Sequence, residues 1–245
     1  MSIFDTVIFE KIGHIAYITL NRPRELNAFN TKMRDDLFEI LSAIKIDEEI
    51  HVVILTGKGE KAFCAGADLK EFLTAPPPVK ARRIRFRRDL WGLFQDIPQP
   101  LIAAVYGYVL GSGLEMALCC DIRIASDDAR FGLPEVGLGI IPAAGGTQTL
   151  PRAVGQSKAM EMLLTNEWID SRDAYSFRLI NRIVKRERLI EEADEVALKI
   201  ASHDPVLVRY AKQAVKYGLD LSLTEGLYLE KNLASRFAAL SSTIN

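Results

Sequence analysis

The feature that most constrains this chain is a carboxylate placed inside an apolar segment, directly after a glycine-rich turn. Glu115 lies one residue into the otherwise apolar run 114–120, and the turn Gly111-Ser112-Gly113 comes just before that run. The run is too short to cross a membrane and is typical of the first turns of a core helix. A buried carboxylate is costly unless it is neutralised or hydrogen-bonded, so the fold has to provide a partner or a use for it.

A second carboxylate, Glu135, ends the loop-like segment 132–135 and is itself followed by a cluster of glycines. Those glycines are Gly137, Gly139, Gly145 and Gly146. Two carboxylates beside glycine turns indicate a shared acid–base site. The structural alternative makes Glu115 a charge partner of the helix start and Glu135 a surface loop residue. The spacing of the two residues favours the functional interpretation only slightly.

Another glycine-centred segment, 61–69, is small and nearly uncharged. Such residues let a ligand approach the backbone and meet its N–H groups, although tight packing of a strand on a helix would select the same residues. The turn 110–113, at a helix start, would also present free N–H groups. If Ala67 supplies another N–H, the two turns form an oxyanion hole, which together with two glutamates suits enolate chemistry next to a carbonyl group.

Alternating and helical patterns predict an α/β fold with a mixed, strand-rich N-terminal core and a helical C-terminal part. The expected strands are 7–9, 14–20, 52–55, 101–106 and 121–125. The expected helices are 30–46, 156–164, 171–179, 188–202, 205–217 and 222–240. Asp204 before Pro205 predicts an N-cap, and Ser222 with Glu225 predicts a capping box.

Composition and motif content argue against several function classes. A formal net charge of −1 gives no argument for nucleic acid or membrane binding, and the 3 cysteines show no metal or disulfide spacing. The sequence has no dinucleotide fingerprint, phosphate-binding loop, nucleophile elbow or zinc-binding histidine pair. His14, His51 and His203 are interpreted as structural. Residues 1–10 show no secretory or organelle signal, so we expect a cytoplasmic protein.

The basic run 80–88 leaves one alternative open, because clustered arginines can bind phosphates or RNA. Stacking aromatic residues are sparse there, so we favour a solvated helix face and expect no nucleic-acid partner. The prolines at 76–78 precede this run and interrupt any helix at that point.

The motifs as a set resemble the crotonase superfamily, and the resemblance covers nearly the whole chain. The segments that carry it are Leu26-Asn27-Ala28, Ala65-Gly66-Ala67-Asp68-Leu69, Gly111-Ser112-Gly113-Leu114-Glu115, 133–142 and Gly145-Gly146-Thr147-Gln148. The resemblance implies an α/β, crotonase-like spiral of ββα units in residues 1–185. It assigns residues 186–245 to a helical C-terminal part that serves trimerisation and covers coenzyme A. An acyl-CoA thioester substrate and a homotrimer or dimer of trimers are implied as well.

With both carboxylates present, the chain is most similar to the enoyl-CoA hydratases of that superfamily. The resemblance implies that the N–H groups of Ala67 and Ser112 hold the thioester oxygen while Glu115 and Glu135 grip one water molecule. One glutamate would act as the base and the other as the acid. No metal or redox cofactor is implied, because coenzyme A is part of the substrate. The implied substrate contacts are Arg24, Glu25, Ala28, Ala65, Gly66, Asp68, Leu69 and Gly111.

Two rival functions stay open beside the hydratase. A double-bond isomerase of the same fold can work with one glutamate, and a non-catalytic acyl-CoA- or RNA-binding relative is favoured only by the basic run. The chain also departs from the family pattern. Ser112 replaces a more usual glycine, and Ala143-Ala144 replaces a glycine–alanine pair. The sequence ends at Asn245, where relatives typically carry another helix, so we expect a shortened chain or a more open coenzyme site.

Overall fold

The computed structural model describes residues 4–72 and 88–244. The strands in these residues are β1 (Val7–Ile12), β2 (Ile15–Leu20), β3 (Val52–Gly57), β4 (Ala62–Cys64), β5 (Leu101–Val105), β6 (Tyr108–Leu110), β7 (Ile122–Ser126), β8 (Arg130–Gly132), β9 (Ile169–Asp170) and β10 (Arg182–Val184). The helices are α1 (Thr31–Ile46), α2 (Leu69–Phe72), α3 (Leu90–Asp96), α4 (Ser112–Cys119), α5 (Gly146–Val154), α6 (Gln156–Thr165), α7 (Ser171–Ser176), α8 (Leu189–Ala201), α9 (Pro205–Gly218) and α10 (Leu223–Ile244).

The strands form two sheets, and successive strands along the chain often alternate between them. The larger sheet has the order β1-β2-β3-β5-β7-β10, and the smaller has the order β4-β6-β8-β9. All neighbouring strands are parallel except the pairs β1–β2 and β8–β9. Three successive pairs, β3–β4, β5–β6 and β7–β8, place their first strand in the larger sheet and their second in the smaller one. Helices follow β4 and β6 directly, which confirms the expected spiral of ββα units.

The core lies around the larger sheet because its central strands are apolar on both faces. The side chains from Val52 to Leu55 in β3 and along β5 are buried, as expected for parallel strands covered on both sides. Helix α8 packs against β3, β5 and β7. Helix α1 contributes an apolar stripe that ends at Ile44, and Asn30 caps its start by accepting a hydrogen bond from the Met33 N–H.

Several expected elements are confirmed with small changes in their bounds. The β1–β2 pair turns at Gly13, which has a φ of +57°. The side chain of Asp204 accepts hydrogen bonds from the N–H groups of Val206 and Leu207 at the start of α9. Ser222 and Glu225 form the capping box before α10. Helix α7 is shorter than expected, since it ends at Ser176 rather than at 179.

After residue 156, where the expected elements are all helices, the chain also forms two short strands, β9 and β10. Strand β10 pairs in parallel with β7, with Ile183 opposite Ala125. The loop interpretation of 61–69 was also incomplete, because this segment begins with β4. Helix α5 was missed altogether. Strands of three residues are too short to show a period, so their pairing depends on the neighbouring strand rather than on a sequence pattern.

The C-terminal helices α9 and α10 pack against each other. The division of the chain at residues 185 and 186 stays a prediction. In the described ranges 4–72 and 88–244, no helix combines the length and the apolar character that a membrane crossing requires. The three prolines at 76–78 and most of the basic run lie outside those ranges. Arg88 is described, and its guanidinium pairs with Asp35 and Glu39 of α1 at 3.2 Å each.

Candidate active site

The two glycine turns predicted to bind an oxygen lie against each other. Gly111 connects β6 to α4 with a φ of +48°, and Gly66 lies in the other turn with a φ of +106°. A β-carbon at Gly111 would come within 3.4 Å of Gly66 Cα, and one at Gly66 would lie 3.4 Å from the Leu110 carbonyl oxygen. Ala67 and Ser112 follow these glycines directly, so the structure brings the two predicted amide donors to neighbouring positions.

The amides of Ala67 and Ser112 are available to an outside acceptor. Ser112 is the first residue of α4, where the N–H group has no partner within the helix. Among the residues that the structure describes, neither of these two N–H groups donates a hydrogen bond. The adjacent Gly111 N–H is already used, because it donates to the Gly132 carbonyl at 3.0 Å. Ala67 and Ser112 therefore remain the candidate donors of an oxyanion hole.

The segment around Ala67 is held by a short parallel pairing with residues 26–29. The N–H of Phe29 donates to the Gly66 carbonyl at 2.8 Å, and the N–H of Asp68 donates to the Phe29 carbonyl at 2.8 Å. The N–H of Ala65 donates to the Leu26 carbonyl at 3.1 Å. These bonds use the N–H groups of Ala65 and Asp68 and the carbonyl of Gly66, and among the described residues the Ala67 N–H has no acceptor.

The side chain of Asn27 anchors the paired segment 26–29 in the core. It is fully buried, and Nδ2 donates to the carbonyls of Lys58 and Ala62 at 3.0 and 2.9 Å. Arg22 also stabilises the segment that contains Ala67, because its guanidinium pairs with the Asp68 carboxylate at 2.9 Å. The hydrogen bond from Arg22 holds the pKa of Asp68 below its usual range. Asp68 is thus an ion-paired carboxylate at the edge of the site.

Glu115 is a buried carboxylate whose partners come from the chain before α5. It is 2% exposed, and its Oε1 accepts hydrogen bonds from the N–H groups of Ala144 at 3.0 Å and Gly146 at 2.9 Å. A β-carbon at Gly146 would lie 3.0 Å from the same oxygen. The glycine therefore permits this close approach, and the two amides account for a carboxylate inside an apolar helix.

Glu135 follows β8 and is 9% exposed. Its Oε2 is buried and has no hydrogen-bond partner among the described residues. Its Oε1 lies beside the Gly111 turn, since a β-carbon at Gly111 would lie 2.8 Å from this oxygen. Burial raises the pKa of Glu135 to about 7, and the nearby charge of Glu115 acts in the same direction. The two glutamates therefore interact across one site that also contains the Gly111 turn.

The remaining predicted contacts divide between the site edge and the surface. Ala28, Ala65 and Gly66 belong to the paired segments that carry Ala67. Arg24 and Glu25 are exposed in a short 3₁₀ turn that begins at Pro23. Leu69, the first residue of α2, is also exposed.

No group of three or more metal-ligating side chains in 4–72 and 88–244 is arranged to hold an ion. The three cysteines are buried and free.

A sequence model of the family described as "Enoyl-CoA hydratase/isomerase" matches residues 10–243. The chain belongs to this family. It is 42% identical over 223 residues to the (E)-benzylidenesuccinyl-CoA hydratase of Thauera aromatica, with 90% of this chain and 86% of that protein covered. It is 41% identical over 227 residues to the short-chain-enoyl-CoA hydratase of Clostridium acetobutylicum, with 92% and 87% covered. The crystal structure of enoyl-CoA hydratase from Bacillus anthracis superimposes with a TM-score of 0.89 at 40% identity, covering 94% of this chain and 90% of that one.

Membership confirms the resemblance to the crotonase superfamily and makes the chain an enzyme of the enoyl-CoA hydratase/isomerase family. Sequence reasoning had missed several groups around the two glutamates. The Ala144 and Gly146 amides were signalled only by the glycine cluster before α5. Asn166 and Trp168, which contact the segment that carries Glu135, gave no signal in the sequence.

Proposed function

We propose that this chain is an enoyl-CoA hydratase, which adds water reversibly across the 2,3 double bond of a 2-enoyl-CoA thioester to give a 3-hydroxyacyl-CoA. The observation that carries the proposal is a pair of buried glutamates in opposite environments. Two backbone N–H groups donate to Glu115, whereas Glu135 keeps a buried oxygen without a hydrogen bond among the described residues. Hydration needs one group that takes a proton from water and another that gives a proton to carbon.

The environments of the two glutamates support one assignment of these roles. Hydrogen bonds to a carboxylate favour its charged form, so Glu115 is suited to take the proton from water. Glu135, whose pKa burial raises to about 7, is suited to carry the proton that goes to C2. The C2–C3 π bond breaks as the C3–O and C2–H bonds form, while one O–H bond of water breaks to Glu115 and the O–H bond of Glu135 breaks to C2. The product has then gained the atoms of one water, and transfer of a proton from Glu115 to Glu135 through solvent restores both groups for the next turnover.

The thioester oxygen takes up negative charge during this step, and the amides of Ala67 and Ser112 are the proposed donors to it. Fixed N–H donors of this kind are typically worth several kcal/mol in the transition state. The coenzyme A portion would lie along the paired segments and the adjacent surface. The proposed contacts there are Arg24, Glu25, Ala28, Ala65, Gly66, Asp68, Leu69 and Gly111. We propose that no metal ion or redox cofactor takes part.

Two of the relatives described above are named as hydratases, which supports hydration rather than isomerisation. An isotope experiment separates the two reactions in this chain. The protein is incubated with a 2-enoyl-CoA in ¹⁸O-labelled water, and the product is examined by mass spectrometry. We expect 3-hydroxyacyl-CoA with the label at C3 and slower conversion of the matching 3-enoyl-CoA. Faster turnover of the 3-enoyl-CoA with no labelled hydroxyacyl product would identify an isomerase.

We also propose that the chain assembles as a homotrimer or a dimer of trimers. The C-terminal helices and their connection carry large exposed apolar side chains, which in a folded protein commonly mark an interface. They include Leu219, Leu223, Leu227 and Tyr228, each more than half exposed. Light scattering coupled to size-exclusion chromatography tests the assembly, and the mass of a single chain at assay concentration would contradict it.

A further inference from the structure

Glu135 lies in a segment that the fold holds in an unusual way. Between β8 and the 3₁₀ turn Val136–Leu138, the Glu135 carbonyl accepts hydrogen bonds from the N–H groups of Leu138 and Ile140. The turn therefore closes on itself. Its apolar side chains contribute little packing, because Val136, Leu138 and Ile140 are 42%, 53% and 38% exposed. Burial of the turn alone does not fix where the Glu135 carboxyl points.

The connection between α6 and β9, residues 166–168, crosses this segment and contacts it on both sides of Glu135. After Glu135, the Gly137 N–H donates to Oδ1 of Asn166 at 3.2 Å. Before Glu135, the Trp168 ring covers Gly132, where a β-carbon would lie 2.5 Å from Trp168 Cδ1. The connection is itself anchored, since Ile169 pairs with Phe131 of β8.

Asn166 is placed for this contact by its own backbone. It ends α6 with φ +56° and ψ +22°, in the left-handed region that glycine and asparagine tolerate best. Glycine would fill this backbone position at least as well, so the helix end alone does not require the asparagine side chain. The side chain instead spans to Gly137, where a β-carbon would lie 2.9 Å from Nδ2. Gly137 thus lets the amide group of Asn166 lie flat against the Glu135 segment.

We propose that Asn166 is a positioning residue for Glu135, holding its segment so that the carboxyl stays buried beside the Gly111 turn. This inference rests on the proposed hydratase function, in which Glu135 supplies the proton to C2. Asn166 does not reach the reacting atoms in this account. It acts through the Gly137 N–H, and Trp168 supports it from the other side of Glu135.

The matched variants Asn166→Gly and Asn166→Asp test the side chain separately from the backbone. Gly keeps the left-handed conformation but removes the acceptor, whereas Asp keeps an acceptor oxygen. We expect Asn166→Gly to lower kcat by about fivefold, which corresponds to one hydrogen bond of ordinary net strength, with KM nearly unchanged. Its melting temperature should be equal to or above that of the unchanged protein. Asn166→Asp should recover most of kcat below neutral pH.

Two further readouts decide whether Asn166 acts through Glu135. Loosening the segment lets water reach the Glu135 carboxyl, which lowers its pKa. The kcat of Asn166→Gly should therefore begin to fall at a lower pH than the kcat of the unchanged protein. In a Glu135→Gln background, the Asn166→Gly change should cause no further loss, because the group that it positions is already absent. An equal fivefold loss in that background would overturn the inference. Unchanged kcat and pH profile in Asn166→Gly would overturn it as well.

The remaining outcomes are also decisive. A large fall in melting temperature for Asn166→Gly would show that the residue holds the fold rather than the glutamate, against the inference. Equal losses in Asn166→Gly and Asn166→Asp would exclude the acceptor oxygen as the cause. Full hydration activity in Glu135→Gln would instead reject the proposed role of Glu135, whatever Asn166 does. An impaired Glu135→Gln beside an unaffected Asn166→Gly would keep the hydratase proposal and remove only the positioning role.

Discussion

Glu115 and Glu135 carry the same side chain but lie in two different kinds of structure. Glu115 is on a helix in the core, and two amides donate to one of its oxygens. Glu135 lies in a segment with exposed apolar neighbours, and one of its oxygens is buried without a hydrogen bond among the described residues. The contrast shows how a fold can give two identical side chains different surroundings, because the ease of protonation follows the local donors and solvation rather than the residue type.

The largest expected effect comes from removing either carboxyl. Glu115→Gln and Glu135→Gln should each lower kcat for hydration by at least ~10²-fold, the lower end of the range for general acid–base catalysis. Binding of a saturated acyl-CoA should change little, which calorimetry can measure. The double variant should lose far less than the product of the two losses, because the residues act as a unit. Near-normal kcat in either single variant would remove that residue from the mechanism.

A smaller effect should follow from pushing Glu135 out of place without removing it. In Gly111→Ala the new β-carbon would lie 2.8 Å from Glu135 Oε1, so the carboxyl has to move. We expect kcat to fall by about tenfold or more, on top of a backbone strain of about 1–3 kcal/mol, because φ +48° with ψ −124° is a conformation that glycine adopts far more readily than alanine. Gly13→Ala is the matched control, since Gly13 also has a positive φ but nothing within 4 Å of a β-carbon. If both variants lose the same stability and neither loses activity, the contact between Gly111 and Glu135 has no catalytic role.

The raised pKa of Glu135 predicts a pH dependence with a definite sign. The folded protein holds this proton up to a pKa of about 7, whereas the ordinary pKa of a glutamate side chain is 4.5. Between these values the folded state binds more protons, so the contribution of Glu135 to stability is complete below the lower value and is lost as pH rises through the higher one. The free energy of unfolding should fall by up to about 3 kcal/mol relative to Glu135→Gln across that window.

Urea unfolding of both proteins at several pH values measures this difference. The kcat of the unchanged protein should fall over the same range as pH rises through neutrality, because the acid form is lost. A parallel stability profile for the unchanged protein and Glu135→Gln would contradict a raised pKa at this residue.

The smallest effect is expected at a third carboxylate that has a permanent partner. Asp68 pairs with Arg22 at 2.9 Å, and the proposed mechanism gives it no part in proton transfer. Asp68→Asn should loosen the pairing around Ala67 and raise KM by a few-fold, roughly the effect of one partly buried charge-assisted hydrogen bond, with kcat nearly unchanged. Steady-state kinetics with one enoyl-CoA suffices. A loss of kcat as large as that of Glu135→Gln would place Asp68 beside the reacting atoms. Asp68 would then no longer differ in role from the two glutamates.

Much of this site could be predicted from sequence because its parts leave strong local patterns. Glu115 interrupts an apolar run, and Gly66 and Gly111 mark turns with positive φ. These features favoured an acid–base site with exposed backbone amides only slightly, and the assignment of Ala67 and Ser112 as the donors depended on the family resemblance. The strand–helix alternation predicted the α/β class, since β3, β5 and their helices carry clear periods.

The parts that could not be predicted depend on contacts between segments far apart in the chain. The Ala144 and Gly146 N–H groups contact Glu115 from the start of α5 and the loop before it, where the sequence shows no hydrophobic periodicity. Strand β10 forms by pairing with the edge strand β7, and its own sequence is too short to predict that pairing. Asn166 meets Gly137 only because α6 and β9 bring it there. The raised pKa of Glu135 belongs to the same class, because it depends first on burial, which no local pattern specifies.

The proposed mechanism depends most on the raised pKa of Glu135, which keeps a proton on this carboxyl near neutral pH. Titration of ¹³C-labelled glutamate carboxyls by NMR in the unchanged protein, Glu115→Gln and Glu135→Gln tests it most directly. The account predicts one carboxyl that titrates near pH 7, in line with the raised pKa of Glu135. That signal should disappear in Glu135→Gln and persist in Glu115→Gln at a somewhat lower pH, because the neighbouring charge is gone. A signal that instead disappears in Glu115→Gln, or the absence of any carboxyl titrating above the ordinary range, would contradict the account.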